Sequence, residues 1–171
     1  KYLVKKGAFE EYKFQTENRY ERQLNREHAI EIIVDSLQNT DIVVSTTGVA
    51  SRELFEYREK LGVGHEKDFL TVGGMGHTSQ IALGIALQKK DRQIYCLDGD
   101  GSIIMHMGSL AINASMKCKN IKHIVFNNSA HDSVGGQPTV GGQIDMKSIA
   151  INAGYKWGKV VSEKDEIKSA L

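Results

Sequence analysis

Residues 93–102, QIYCLDGDGS, decide how this chain folds. The first half is a short apolar run of the kind that forms a buried strand. The second half turns sharply, with two glycines around Asp100, and Ser102 opens a segment with helical spacing that runs to Met116. A strand that ends in a glycine turn and feeds a helix is half of a βαβ unit. The pattern repeats on both sides. Upstream, residues 41–45 (DIVVS) end in Thr46-Thr47-Gly48, before a helix that Ser51 would cap and Gly62 would stop. Residues 69–72 end in Gly73-Gly74-Met75-Gly76, before a helix opened by Thr78 or Ser79. Downstream, residues 121–126 end in Asn127-Asn128. The alternation predicts an α/β fold, a doubly wound parallel sheet with helices on both faces.

Further elements extend this frame. Asn25 would cap a first helix with Ala29, Ile30, Ile33 and Leu37 on one face. Asp145 would begin a helix that Gly154 ends, followed by a weak strand over residues 155–161 and a helix from Ser162. Residues 1–24 are polar, without apolar period, and read as a linker or arm that Tyr2, Phe9, Tyr12, Phe14 and Tyr20 could anchor. Residues 25–171 then form one domain. The chain starts without Met and stops within a helical pattern, so a piece of something longer is expected.

Composition sets limits. With 40% hydrophobic residues and a net charge of +1, the chain has the apolar content of a folded domain rather than a disordered one. That charge balance gives no electrostatic reason to expect nucleic acid or a membrane as partner. No run of 18 apolar residues is present, and no signal peptide opens the chain. Cys96 and Cys118 lack CxxC spacing, which predicts a reduced, cytoplasmic protein. The 17 glycines against one proline are clustered rather than scattered, which points to tight turns and close ligand approach.

In parallel sheets ligands bind beyond the carboxyl ends of the strands. Here that edge gathers residues 46–48, 73–76, 99–102 and 127–131. Asp100 and Asn128 each follow a strand; on neighbouring strands, about 4.8 Å apart, both would reach one ion. A carboxylate and an amide oxygen suit Mg²⁺, which keeps substrate phosphates among its ligands. The glycines beside Asp100 admit phosphate oxygens to the backbone, and the helix start at Ser102 favours an anion. The inferred ligand is a metal-bound diphosphate. Taken singly, an aspartate after a strand is equally a helix cap, and Asn-Asn a common turn.

GDGS followed by NN resembles the signature of thiamine diphosphate-dependent 2-keto acid decarboxylases, over residues 41–158. Within that superfamily, GGMGHTSQIALGIAL and IVFNNSAHDSVGGQPT resemble the phosphonopyruvate decarboxylases, with the sulfopyruvate decarboxylases next. The resemblance implies a thiamine diphosphate-binding fold acting on 3-phosphonopyruvate to give phosphonoacetaldehyde and CO₂. It implies Mg²⁺ on the side chains of Asp100 and Asn128 and on the Ala130 carbonyl. Gly99, Gly101 and Ser102 would border the diphosphate, with Thr47 and Gly48 as a second contact. Gly73 and Gly74 would face the aminopyrimidine, and Met75 would sit under the bent cofactor. The activating glutamate of such enzymes lies in a separate N-terminal pyrimidine-binding domain. This chain alone is therefore expected to be inactive, and the working enzyme to be a homo-oligomer of at least two subunits.

Residues 129–144 form a long aperiodic loop, read as a lid. His131 would lie beside the cofactor, holding the substrate's anion or moving a proton. His77 reads as a helix cap, His106 and His123 as structural, and His28 and His65 as surface residues. Tyr155 and Trp157 read as core. One rival enzyme class shares the central motif: IYCLDGDGS also resembles haloacid-dehalogenase-like phosphatases, with Asp98 as nucleophile and Asp100 as acid. A dinucleotide-binding Rossmann domain is excluded, because no GxGxxG follows the first strand.

Overall fold

A computed structural model describes residues 24–171 and, ahead of them, Lys5, Gly7 and Ala8. The five aromatics expected to anchor an N-terminal arm lie outside the described residues. The chain order is α1 (Arg26–Asp35), β1 (Ile42–Ser45), α2 (Val49–Leu61), β2 (Asp68–Leu70), α3 (Thr78–Gln88) and β3 (Ile94–Gly99). There follow α4 (Asp100–Met105), α5 (Ser109–Ser115), β4 (Ile121–Phe126), β5 (Ala130–His131), β6 (Gln137–Pro138), α6 (Met146–Asn152) and α7 (Lys164–Ala170). The main sheet is parallel throughout, in the order β2-β1-β3-β4.

Alternation along the central strands builds two apolar layers. Val43, Tyr95 and Leu97 point to one face, where Ile30, Ile33, Leu54 and Ile167 of α1, α2 and α7 cover them. Val44, Ile94 and Cys96 point to the other, against Ala82 and Ala86 of α3. Side chains such as Ile30 and Leu54 are fully buried, each contributing roughly 1.5–3 kcal/mol over an exposed position. The doubly wound α/β fold expected from the sequence is present.

Local signals behave as their chemistry dictates. The Asn25 side chain accepts the His28 N–H at 2.8 Å and caps α1. Gly62 ends α2 in the left-handed conformation at φ +66°. Four expectations need correction. Ser51 lies inside α2 rather than at its cap; its hydroxyl donates to the Thr46 carbonyl at 2.6 Å. The helix after Ser102 breaks at residues 106–108 into α4 and α5, where Gly108 starts the second piece. Residues 155–161 form no strand, because Tyr155 turns inward to hydrogen-bond His123 and Asn113. Trp157 is 63% exposed and fills no core.

Candidate active-site cleft

All the turns at the carboxyl edge meet. Asp100 starts α4 just past β3 and is 2% exposed. Because Gly99 pairs with Phe126 across β3 and β4, Asn128 follows on the neighbouring strand, as the spacing required. Both side chains line one cleft with Thr46, Thr47, Met75 and His131. Gly99, Gly101, Ser102 and Ala130 also line it. Among the described residues, no Lys, Arg or His ion-pairs with Asp100. Its Oδ2 instead accepts the Thr139 hydroxyl. A carboxylate so buried calls for a cation or further donors.

The glycine turns form the walls. A side chain at Gly101 would run into the His131 imidazole, so the ring lies directly over that backbone. A side chain at Gly141 would run into the Asp100 carboxylate, which brings the 139–142 turn onto the same site. The Ser102 hydroxyl accepts the Gly76 N–H at 3.0 Å and the Thr46 hydroxyl at 3.3 Å, so its own proton is left to donate. Thr47 Oγ1 accepts the Gly73 N–H at 3.1 Å, tying two of the expected contacts together. Gly73 and Gly74 are exposed at φ +73° and +59° and stand outside the cleft lining. Gly48 stands just behind it, where an added Cβ would lie 3.0 Å from Ser133.

Residues 129–144 are more ordered than the lid expected from their composition. β5 and β6 pair antiparallel, with Ala130 opposite Pro138, and Gly135 and Gly136 make the turn at φ +110° and +74°. The Ala130 N–H donates to Asn128 Oδ1 at 3.1 Å, and the Asn128 amide donates to Asp132 at 2.7 Å. Asp132 also pairs with Arg26, a cleft residue 106 positions earlier in the chain. Burial opposes the Arg26 charge, but Glu53 and Asp132 outweigh it and raise the guanidinium pKa above its ordinary value. Sequence reasoning missed Arg26, Thr139 and Gly141. The last two sit in the loop already singled out, whereas Arg26 carries no local signal at all.

Beneath the cleft runs a buried polar chain. Asp98, 1% exposed, accepts its neighbour Gly99's N–H at 2.9 Å and faces His123 Nε2 at 3.4 Å. His123 Nδ1 meets the Tyr155 hydroxyl at 2.9 Å, and Tyr155 accepts from Asn113, which accepts from Gln80. Burial pushes the Tyr155 phenol up to about 12 and the Cys96 thiol well above its usual value. Asp98 is thus turned away from the cleft lining and cannot serve there as a nucleophile. The His77 and His106 rings meet at 4.3 Å, tilted by 40°, beside the Gly76 turn; the His77 side chain makes no capping bond.

The fold and cleft define a parallel α/β domain with an oxygen-rich crevice beyond its strand ends. Residues 47–171 match the family "Thiamine pyrophosphate enzyme, C-terminal TPP binding domain", and the chain belongs to it. It is 36% identical over 143 residues to phosphonopyruvate decarboxylase of Streptomyces viridochromogenes, covering 84% of this chain and 34% of that protein. It is 37% identical over 126 residues to sulfopyruvate decarboxylase subunit beta of Methanocaldococcus jannaschii, covering 73% of this chain and 64% of the relative. The crystal structure of benzoylformate decarboxylase from Polynucleobacter necessarius shares the fold, at 20% identity and a TM-score of 0.71, over 91% of this chain and 32% of that one. The chain thus spans about a third of the phosphonopyruvate decarboxylase and about two thirds of the sulfopyruvate decarboxylase subunit. No helix among the described residues is long and apolar enough to cross a membrane.

Proposed function

We propose that this chain holds the diphosphate of thiamine diphosphate and its Mg²⁺ in a decarboxylase that converts 3-phosphonopyruvate to phosphonoacetaldehyde and CO₂. The observation that carries the cofactor reading is the buried Asp100 carboxylate, without a protein cation among the described residues, beside the Asn128 amide. Oxygen donors from Asp100, Asn128 and the Ala130 carbonyl suit Mg²⁺. Gly99 leaves room for diphosphate oxygens, Gly101 would offer its backbone beside it under the His131 ring, and the Ser102 hydroxyl retains a proton to donate. Thr47 and Gly48 form the opposite wall. Gly73 and Gly74, at the rim, offer backbone to the aminopyrimidine, and Met75 gives an unbranched, polarizable support under the rings.

When bound, the cofactor supplies the electron sink for decarboxylation. The chain supplies position and charge. His131, whose ring lies over Gly101, would hold the substrate's anionic group or deliver a proton. The substrate assignment leans on the relative from Streptomyces and on the AHDSVGGQPT stretch. A second reading is sulfopyruvate, favoured by the larger share of the sulfopyruvate subunit that this chain spans. The complete enzyme would add a pyrimidine-binding domain or subunit, act on a small 2-keto acid, and work as a homo-oligomer. The unpaired thiols of Cys96 and Cys118 support a cytoplasmic setting.

A panel of phosphonopyruvate, sulfopyruvate and pyruvate with the full-length enzyme, Mg²⁺ and thiamine diphosphate tests the substrate. A higher kcat/KM for sulfopyruvate would overturn the phosphonopyruvate assignment and leave the cofactor reading standing. Asp100→Ala is expected to abolish cofactor-dependent turnover; wild-type rates in that variant would sink the metal assignment.

A further inference from the structure

Asp132 ends a chain of charge whose arginine stands 106 residues earlier in the sequence. Arg26, the first residue of α1, donates to Glu53 of α2 through Nε at 2.7 Å and Nη2 at 3.0 Å. Held so, it donates through Nη1 to Asp132 Oδ2 at 3.0 Å. That same oxygen accepts Nδ2 of Asn128 at 2.7 Å. A carboxylate only accepts, so only the NH₂ end of the amide can make this bond. The other end, Oδ1, accepts the Ala130 N–H at 3.1 Å and has a second lone pair to offer. Flipping the amide would set its NH₂ against the Ala130 N–H and its oxygen against the carboxylate. Both contacts would repel.

We infer that Asp132, pinned by Arg26, is a positioning residue that turns the Asn128 amide so that oxygen, not nitrogen, is presented to a cation in the cleft. This rests on the Mg²⁺ site proposed above. Arg26 lines the cleft but is not thereby an anion site, since two carboxylates already take its charge. On this inference Asp132 acts through the ligand rather than as one, with its Oδ2 engaged by both Arg26 and Asn128. Partners of this kind hold a metal ligand in orientation, and their loss typically weakens metal affinity about 10–100-fold.

The test is Mg²⁺ affinity, by isothermal titration calorimetry on the full-length protein saturated with thiamine diphosphate, with circular dichroism to confirm folding. Asp132→Ala is expected to weaken Mg²⁺ about 10-fold, and Arg26→Gln to weaken it in the same direction by less. Adding Asp132→Ala to Asn128→Ala should cost no more than about twofold beyond Asn128→Ala alone, since the residue acts through that amide. Losses that add in the double variant would overturn the inference, because loop stability or direct ligation would then explain the effect. So would an unchanged affinity in Asp132→Ala beside a weakened Asn128→Ala. An unchanged affinity in Asn128→Ala would instead remove the metal site itself, and this inference with it.

Discussion

Asp98 and Asp100 stand two residues apart and are almost equally buried, yet they meet different partners. Asp98 faces His123 beneath the sheet edge, while Asp100 opens a helix into the cleft beside Asn128. The chain passes from strand to helix between them, with Gly99 still extended at φ −110° and ψ 155°, and this change of course separates the two side chains. Below them, Tyr155 yields a pH prediction. Burial favours its neutral phenol and raises its pKa from 10.0 to about 12. A group whose folded pKa is raised contributes stability that is complete below the unfolded value and lost as pH rises through the folded one. The molecule should therefore lose up to about 2–3 kcal/mol between pH 10 and 12 from this residue. Tyr57, raised to about 12 by its hydrogen bond to Asp35, acts in the same window, though it is too exposed to carry a comparable share. Thermal denaturation across that range checks this: Tyr155→Phe should lie below wild type at neutral pH, having lost its bonds to His123 and Asn113, but decline less steeply above pH 10.

At the scale of elements, function sits in the connections between strand and helix. The turn from β1 to α2 passes through Gly48 at φ +104°, a backbone region that disfavours side chains. An added Cβ there would also lie 3.0 Å from Ser133 in the loop after Asn128. Gly48→Ala is expected to cost at least about 1 kcal/mol through strain and to push the 132–134 segment outward. Urea unfolding reads the first effect, and faster proteolysis of that loop reads the second; an unchanged midpoint would refute the strain argument. These turns are legible in the sequence because each follows a run of strand periodicity, which by itself places Asp100, Asn128, Met75 and His131 on one edge. Arg26 is not legible, because its partner lies 106 residues away and periodicity carries no information about such contacts. Residues 155–161 mislead for a related reason. Their apolar pattern suits a strand, but Tyr155's bond to His123 fixes a different course. Thr139 is hidden inside a loop whose hairpin depends on how Gly135 and Gly136 turn, beyond the reach of composition.

For the whole molecule, the arrangement of charge in the cleft limits what this chain can do unaided. Among the described residues, two carboxylates line it. Asp100 is committed to the proposed cation, and Asp132 is committed to Arg26 and Asn128. Neither is left to act on a pyrimidine ring bound at the rim near Gly73. Activation of the cofactor in this kind of enzyme rests on such a carboxylate, as the resemblance to the 2-keto acid decarboxylases implies. On the function proposed above, a second domain or subunit would supply it, closing the open side of the cleft and excluding water from the reacting atoms. Residues 1–171 expressed alone should accordingly show no decarboxylation of phosphonopyruvate or sulfopyruvate above background, even with excess Mg²⁺ and thiamine diphosphate. Their affinity for the cofactor should be at least about tenfold weaker than that of the full-length enzyme, because about half of its contacts are missing. Release of CO₂ followed by a coupled assay, and calorimetry of cofactor binding, test the two statements separately. Turnover by the isolated chain would mean that a carboxylate of its own reaches the ring, and would reopen the assignment of Asp132.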